Sequence, residues 1–272
     1  EKYLVEIRKS YEISSLTNEK VKFINSLSQR KYRRETNLFV AEGVRICKEA
    51  LENGWRIKYL LFNKCNKQNL IIENLINQAL SLGSDVVGVT SDILTKISHK
   101  ENPQNVLGVF VQRWSKLPKA INVETFVALE CIRDPGNLGT ILRTMDGVGA
   151  TNCILLNECT DPFSYEAVRA SMGAIFSVKV IASNNEKFFE WKKKNKINSI
   201  GTSLSNAVNY TKTDWKLPFV LLMGNEQNGL SNKVLNQCDQ LIKMPMLGKS
   251  DSLNLAVSAG IALYESIRKN PK

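Results

Sequence analysis

Phe126-Val127-Ala128-Leu129-Glu130-Cys131-Ile132-Arg133-Asp134-Pro135-Gly136-Asn137-Leu138-Gly139-Thr140-Ile141-Leu142-Arg143-Thr144 is the stretch whose reading decides the fold class. It opens on a continuous apolar run, the pattern of a strand in a parallel sheet covered on both faces. A proline and two glycines then lead the chain into a helix. Glycine at a strand end lets backbone amides and neighbouring side chains approach a ligand without interference from Cβ. Asn137 and Arg143 become candidate site residues at the carboxyl end of the sheet. Taken alone, the segment allows an ordinary alternative in which Asn137 caps the helix and Arg143 lies on the surface.

Downstream, the pattern predicts strands at 154–156, 199–202, 219–223 and 241–244, with helices at 139–148, 165–172, 186–195, 231–237 and 252–269. Upstream, strands at 39–42, 57–62, 86–90 and 106–111 alternate with helices at 43–53, 69–82 and 92–97. Strands alternating with helices imply α/β layers. The chain is 272 residues long and 43% hydrophobic, enough for two cores. Ser115-Lys116-Leu117-Pro118-Lys119-Ala120 is polar and carries a proline, which places a linker at 115–123 between a first domain at 1–114 and a second at 124–272. The first 19 residues read as polar and irregular, part of a basic extension at 1–36.

Charge narrows the partners. Lys and Arg number 37 against 26 Asp and Glu, a formal net charge of +11. That balance favours a polyanion, either nucleic acid or an acidic membrane surface, and both halves share the excess. Lys20, Lys22, Arg30, Lys31, Arg33 and Arg34 follow one another with no acidic residue after Glu19 until Glu35. They read equally as a solvated helix face or as a phosphate-contacting strip with Tyr32 available to stack on a base. The six cysteines form no C-x-x-C pair and His99 is the only histidine, so no zinc site and no Ser-His-Asp site is expected. The thiols read as buried in a reducing compartment. No apolar run approaches the roughly 20 residues that span a bilayer, and a cytoplasmic location is expected.

Two further segments depart from ordinary core. Phe219-Val220-Leu221-Leu222-Met223-Gly224-Asn225-Glu226-Gln227-Asn228-Gly229-Leu230 delivers a strand into a turn where two glycines bracket Glu226. Met244-Pro245-Met246-Leu247-Gly248-Lys249-Ser250-Asp251-Ser252-Leu253-Asn254-Leu255 precedes a long apolar helix; alone, Ser252 and Asn254 read as helix-start residues. There is no G-x-G-x-x-G and no G-x-x-x-x-G-K-[ST], which leaves a dinucleotide site and a P-loop without support.

In this order the three segments resemble the motifs of the SpoU family of RNA ribose methyltransferases, in the SPOUT superfamily. N-x-G-x-I-x-R-T appears from Asn137 to Thr144, G-x-E-x-x-G-L from Gly224 to Leu230, and P-M-x-G followed by S-L-N at Pro245–Gly248 and Ser252–Asn254. Ala167-Val168-Arg169-Ala170-Ser171-Met172-Gly173-Ala174 looks like the family's R-A-S-x-G-A segment. Phe39–Gly43 and Asn102–Val109 look like the two ends of the small α/β substrate-binding domain, similar to ribosomal RNA-binding proteins, that often precedes the catalytic one. Met244 replaces the usual isoleucine and Asn105 the usual glycine, where a positive φ is a possible requirement.

The resemblance implies an α/β catalytic domain with a parallel sheet and a trefoil knot, a homodimer, and S-adenosylmethionine held by Thr202, Ser203, Leu204, Leu222, Gly224, Met244, Leu253 and Asn254. It implies catalytic roles for Arg143, Asn137, Glu226, Ser252 and Asn254. Arg30, Lys31, Tyr32, Arg33, Arg34 and Arg169 are the expected RNA contacts. Methyl transfer to a ribose 2'-hydroxyl is the implied reaction, with ribosomal RNA favoured over tRNA. A methyltransferase acting on a base nitrogen and a silent RNA-binding protein of the same fold are the rivals.

Overall fold

The computed structural model describes residues 10–119 and 121–271; residues 1–9 of the expected extension lie outside them. The chain forms two units. The first runs to Gln112 and takes in Phe163–Arg169, and the second comprises Arg113–Pro162 and Ala170–Lys272.

In the first unit, β1 (Ser10–Ile13), α1 (Glu19–Ser26), α2 (Arg30–Thr36), β2 (Leu38–Glu42), α3 (Val44–Glu52), β3 (Ile57–Asn63), α4 (Leu70–Ser81), β4 (Asp85–Val89), α5 (Ser91–Ser98) and β5 (Val106–Val111) follow in sequence. The sheet order is β1-β4-β3-β5-β2. β1 and β3 flank β4 in parallel, while β5 runs antiparallel to both β3 and β2. β1 corrects the expectation of an irregular start, because Ser10–Ile13 pairs with Val86–Val89. Ile13, Val21, Ile24 and Leu27 close one face of the sheet over Val87, Leu107 and Val109, and Tyr165 joins this core. Thr90 caps α5: its hydroxyl accepts from the Ile93 amide. Asn105 has no positive φ, so its replacement of glycine costs nothing there.

The second unit contains β6 (Thr125–Glu130), α6 (Pro135–Val148), β7 (Asn152–Leu156), α7 (Tyr165–Ser171, shared with the first unit), β8 (Lys179–Ser183), α8 (Asn185–Lys194), β9 (Asn198–Thr202), β10 (Val208–Asn209), β11 (Phe219–Met223), α9 (Asn232–Leu235), β12 (Gln240–Lys243) and α10 (Leu255–Lys269). Its sheet is parallel throughout, in the order β10-β12-β9-β11-β6-β7-β8. Both faces are covered, and β6, β7 and β11 are buried along almost their whole length. The expected linker is tied to this unit: the Ser115 amide donates to Val180 and the Trp191 indole to the Pro118 carbonyl. α6 begins at Pro135, four residues before its expected start, because Asp134 accepts from the Asn137 amide at 2.6 Å and Pro135 suits the first turn. The cap of α6 is therefore Asp134, which frees the Asn137 side chain.

Candidate active site

Parallel pairing sets the carboxyl ends of β12, β9 and β11 side by side, although their residues are far apart in sequence. A cavity of about 360 Å³ opens at that edge. Thr202, Ser203 and Leu204 line it after β9, Glu226 after β11, and Met244, Ser252 and Leu253 beyond β12. Met223, Leu230, Ile242 and Met246 add apolar lining, none of them among the expected cofactor contacts. Each stands at a strand end or within a motif loop, the signal that would have found them.

Three expected residues do not line the cavity. Leu222 is fully buried in the core cluster, and its carbonyl faces the Thr202 hydroxyl at 3.5 Å. Gly224 serves the loop rather than the cavity: a Cβ there would stand 2.0 Å from the Gly229 carbonyl carbon and 2.1 Å from the Leu230 nitrogen. Only glycine lets the two arms of the turn touch, and the Asn225–Gly229 pair then closes with hydrogen bonds of 3.1 and 2.9 Å. Asn254 is the cap of α10, accepting from Ala256 and Val257.

Asn254 also reaches the other motifs. Its amide donates to Asn137 Oδ1 at 3.0 Å, and Asn137 Nδ2 donates to Glu226 Oε1 at 3.4 Å. Glu226 further accepts from the backbone amides of Arg133 (3.1 Å) and Asp134 (3.0 Å). Burial pushes the Glu226 carboxyl up, but these amides and Asn137 outweigh it and hold it below its ordinary value. Asn225 Nδ2 donates to the Cys131 carbonyl at 3.0 Å, a second tie between the β11 loop and the end of β6. The three motifs thus meet at Asn137, Glu226 and Asn254, and Glu226 belongs both to this chain of bonds and to the cavity wall.

Arg143 stands apart from that chain. Six residues along α6 place it about 9 Å from Asn137 and roughly 120° around the helix. It is exposed, its side chain makes no hydrogen bond or ion pair with the described residues, and it is not a cavity residue. Among the described residues no group of acidic, Cys or His side chains is arranged to hold a metal, and no helix is long and apolar enough to cross a membrane.

The expected RNA contacts separate into two sets. Arg30, Lys31 and Arg34 are exposed on α2, and Tyr32 packs partly against the core of the first unit. Arg33 corrects the expectation: it is 3% exposed and donates to the carbonyls of Leu27 and Ser28, holding the turn between α1 and α2. Arg169 is likewise engaged, donating to the Glu42 carboxylate and the Ser98 carbonyl within the first unit. The cysteines are all free; Cys47, Cys153 and Cys159 are buried as expected, whereas Cys65 is exposed.

Residues 124–264 match the model of the SpoU rRNA methylase family, and residues 18–108 match an MRM3-like substrate-binding domain. The chain belongs to the SpoU rRNA methylase family. A 23S rRNA (guanosine(2553)-2'-O)-methyltransferase, RlmP of Bacillus subtilis, is 30% identical over 93% of this chain and 98% of its own length. The crystal structure of an AdoMet-bound rRNA methyltransferase from Sinorhizobium meliloti superimposes with a TM-score of 0.91 at 41% identity, covering 97% of this chain and 99% of that one. The SpoU methyltransferase AviRb from Streptomyces viridochromogenes, in complex with AdoMet, gives 0.84 at 26% identity, covering 93% and 98%. In this SpoU chain, the cavity at the carboxyl edge is therefore the place to test for the family's cofactor. Its volume falls within the ordinary range for small-molecule sites, and a lining that mixes apolar side chains with polar and charged ones suits an adenosine bearing a charged amino-acid tail.

Proposed function

We propose that this protein transfers a methyl group from S-adenosylmethionine to a ribose 2'-hydroxyl of ribosomal RNA. The observation that carries the proposal is the position of Glu226, which lines the cavity and at the same time bonds Asn137, itself bonded to Asn254. When bound, S-adenosylmethionine supplies a methyl group on a positively charged sulfur. Thr202, Ser203, Leu204, Met244 and Leu253 would hold it, with Met223, Leu230 and Ile242 excluding water from its apolar part.

Methyl transfer demands an in-line approach of the ribose oxygen, so the protein's task is positioning and charge stabilisation. Asn137, Glu226 and Asn254 would form a hydrogen-bonded polar platform, and Ser252 would contribute from the cavity lining. Arg143 supplies a guanidinium with no counter-ion among the described residues, suited to clamp the target phosphate and to stabilise the alkoxide as the hydroxyl loses its proton. A guanidinium carries only donors, which suits a clamp and not a general base.

Ribosomal RNA is the substrate rather than tRNA because the chain matches rRNA-directed relatives along nearly its whole length, including the front unit. Arg30, Lys31 and Arg34 on α2 would contact phosphate away from the methylated nucleotide. The segment from Met244 to Asn254 would thread the trefoil knot, consistent with β12 lying between β10 and β9 and feeding the cavity that the β9 loop also lines. A homodimer would cover the apolar stripe of α10, where Val257 (51%), Tyr264 (57%) and Ile267 (37%) are exposed on one helix. Incubating 23S rRNA with the protein and S-adenosylmethionine, then digesting it to nucleosides for mass spectrometry, should reveal a new 2'-O-methylated nucleoside. A methylated base instead, or no product from protein that binds the cofactor, would overturn the proposal.

A further inference from the structure

The cavity occupies only one edge of the parallel sheet. The amino ends of β9, β11 and β12 gather on the opposite edge at Asn198, Phe219 and Gln240, about 15 Å away at 3.3 Å per residue. A second concavity, of about 450 Å³, opens there, lined by Lys192, Lys193, Lys196, Lys216, Asp214 and Asp239 among others.

Lys192 is occupied within the fold. It lies 2.5 Å from Asp239, which also accepts from the Ser199 amide and hydroxyl at 2.8 Å. Lys193, Lys196 and Lys216 are different: all three are exposed, and no described residue holds their side chains by an ion pair or hydrogen bond. With Asp239 neutralised, only Asp214 opposes them. The carbonyls at the end of α8 account for lysines in its last turn. They do not account for Lys216, which arrives from the segment before β11, nor for Lys196 beyond the helix. Lys196 has φ 52, a conformation that glycine or asparagine adopts at lower cost after a helix. A cation stands there at about 1 kcal/mol more than the residues that usually serve that turn.

The described residues that line the cleft include no aromatic ring, and Trp215, the nearest in sequence to Lys216, is 2% exposed. A surface with charge but no stacking platform reads phosphate rather than bases. We propose that this cleft is a second RNA contact surface, on the edge of the catalytic unit remote from methyl transfer, which takes phosphodiester groups of a large folded substrate by charge alone. The inference rests on the RNA reading given above.

The test compares the wild-type chain with a Lys193→Gln/Lys196→Asn/Lys216→Gln variant, binding a labelled full-length 23S rRNA transcript at salt concentrations from roughly 50 to 200 mM. Each lost phosphate contact should lower the slope of log K against log salt by about 0.7–0.9, so the variant should be shallower by about 2 and bind at least tenfold more weakly at low salt. Its affinity for S-adenosylmethionine should stay at the wild-type value and its melting temperature should not fall, Lys196→Asn relieving the left-handed strain, and Lys193→Arg/Lys196→Arg/Lys216→Arg should keep the wild-type slope. An unchanged slope and affinity in the neutral variant would overturn the inference and leave the RNA reading standing. A parallel loss of melting temperature and cofactor affinity would also overturn it, as the lysines would then be supporting the fold. Wild-type protein that binds the transcript without salt dependence would remove both the inference and the reading beneath it.

Discussion

Gly224→Ala tests whether the cavity depends on the closed turn after β11. The added methyl would stand 2.0 Å from the Gly229 carbonyl carbon, 2.1 Å from the Leu230 nitrogen and 2.2 Å from the Gly229 oxygen. All three are backbone atoms, so no side-chain rotation relieves the clash. The turn must open, and the two hydrogen bonds between Asn225 and Gly229 go with it. Two such bonds are together worth about 2 kcal/mol, and forced overpacking adds about 1–3. At roughly 2–4 °C per kcal/mol for a unit of this size, a loss of about 4 kcal/mol lowers the melting temperature by about 10 °C. Because Asn225, Glu226, Gly229 and Leu230 line the cavity, affinity for S-adenosylmethionine should fall by at least about tenfold, the equivalent of 1.4 kcal/mol. Gly229→Ala is the control. That residue has φ 66 but nothing within 4 Å of its Cβ position, so only the left-handed strain of about 1–2 kcal/mol is expected. Calorimetric melting and cofactor titration of both variants decide the matter. A Gly224→Ala protein with unaltered melting and cofactor affinity, or one less affected than Gly229→Ala, would refute the reasoning.

Arg143→Ala should abolish methyl transfer while leaving cofactor affinity within a few-fold, because the residue is not in the cavity wall; an equal loss of cofactor binding in calorimetry would contradict the phosphate-clamp role. Glu130→Gln should weaken cofactor binding with little effect on RNA affinity. Glu130 is 4% exposed and accepts at 2.8 Å from the Ser231 amide, the Ser231 hydroxyl and Asn185 Nδ2, so it anchors the far end of the Gly224–Leu230 loop, and the exchange should cost about 2–3 kcal/mol of stability by melting. Arg169→Ala should destabilise the first unit by about 3–5 kcal/mol, because the Glu42 carboxylate, 7% exposed, loses its main partner; adding Glu42→Gln should recover part of the loss, and no recovery would argue against the pairing. Glu226 is held below its ordinary value, so its contribution is complete above the unfolded carboxyl pKa of about 4.3 and disappears as pH falls through the lower folded value. Melting temperature against pH should therefore drop less steeply below about 4.3 in Glu226→Gln than in the wild type.

The positions of the elements around Gly136 and Gly224 were legible because periodicity and glycine placement are local properties, and a parallel sheet then brings strand ends together without further information. Three kinds of feature were not legible. Ser10–Ile13, only four residues long, displays no period and exists through its partner β4, while Lys179–Ser183, polar at both ends, exists through β7. Arg33 and Arg169 look like surface cations in a basic chain; only tertiary placement reveals that carbonyls of Leu27, Ser28 and Ser98 and the carboxylate of Glu42 absorb their donors. The start of α6 depends on which of two neighbouring polar residues turns its side chain inward. Asp134 does so, and Asn137 is released for the site.

That release explains why one glutamate can serve both sides of the site. β11 lies between β9 and β6, so the loop after it has the cavity of the β9 and β12 loops on one flank and the start of α6 on the other. Glu226 spans the boundary because the amides of Arg133 and Asp134, at the entrance to α6, point at its carboxylate. Asn254 reaches the same point from beyond β12 because, as the cap of α10, its Oδ1 is fixed by Ala256 and Val257 while its amide remains available for Asn137. Two helix starts and one strand-end turn therefore share a single hydrogen-bonded junction. S-adenosylmethionine seated in the cavity, as proposed, would touch the loop that carries Glu226 and so bear on this junction, which would link donor binding to the geometry around the ribose.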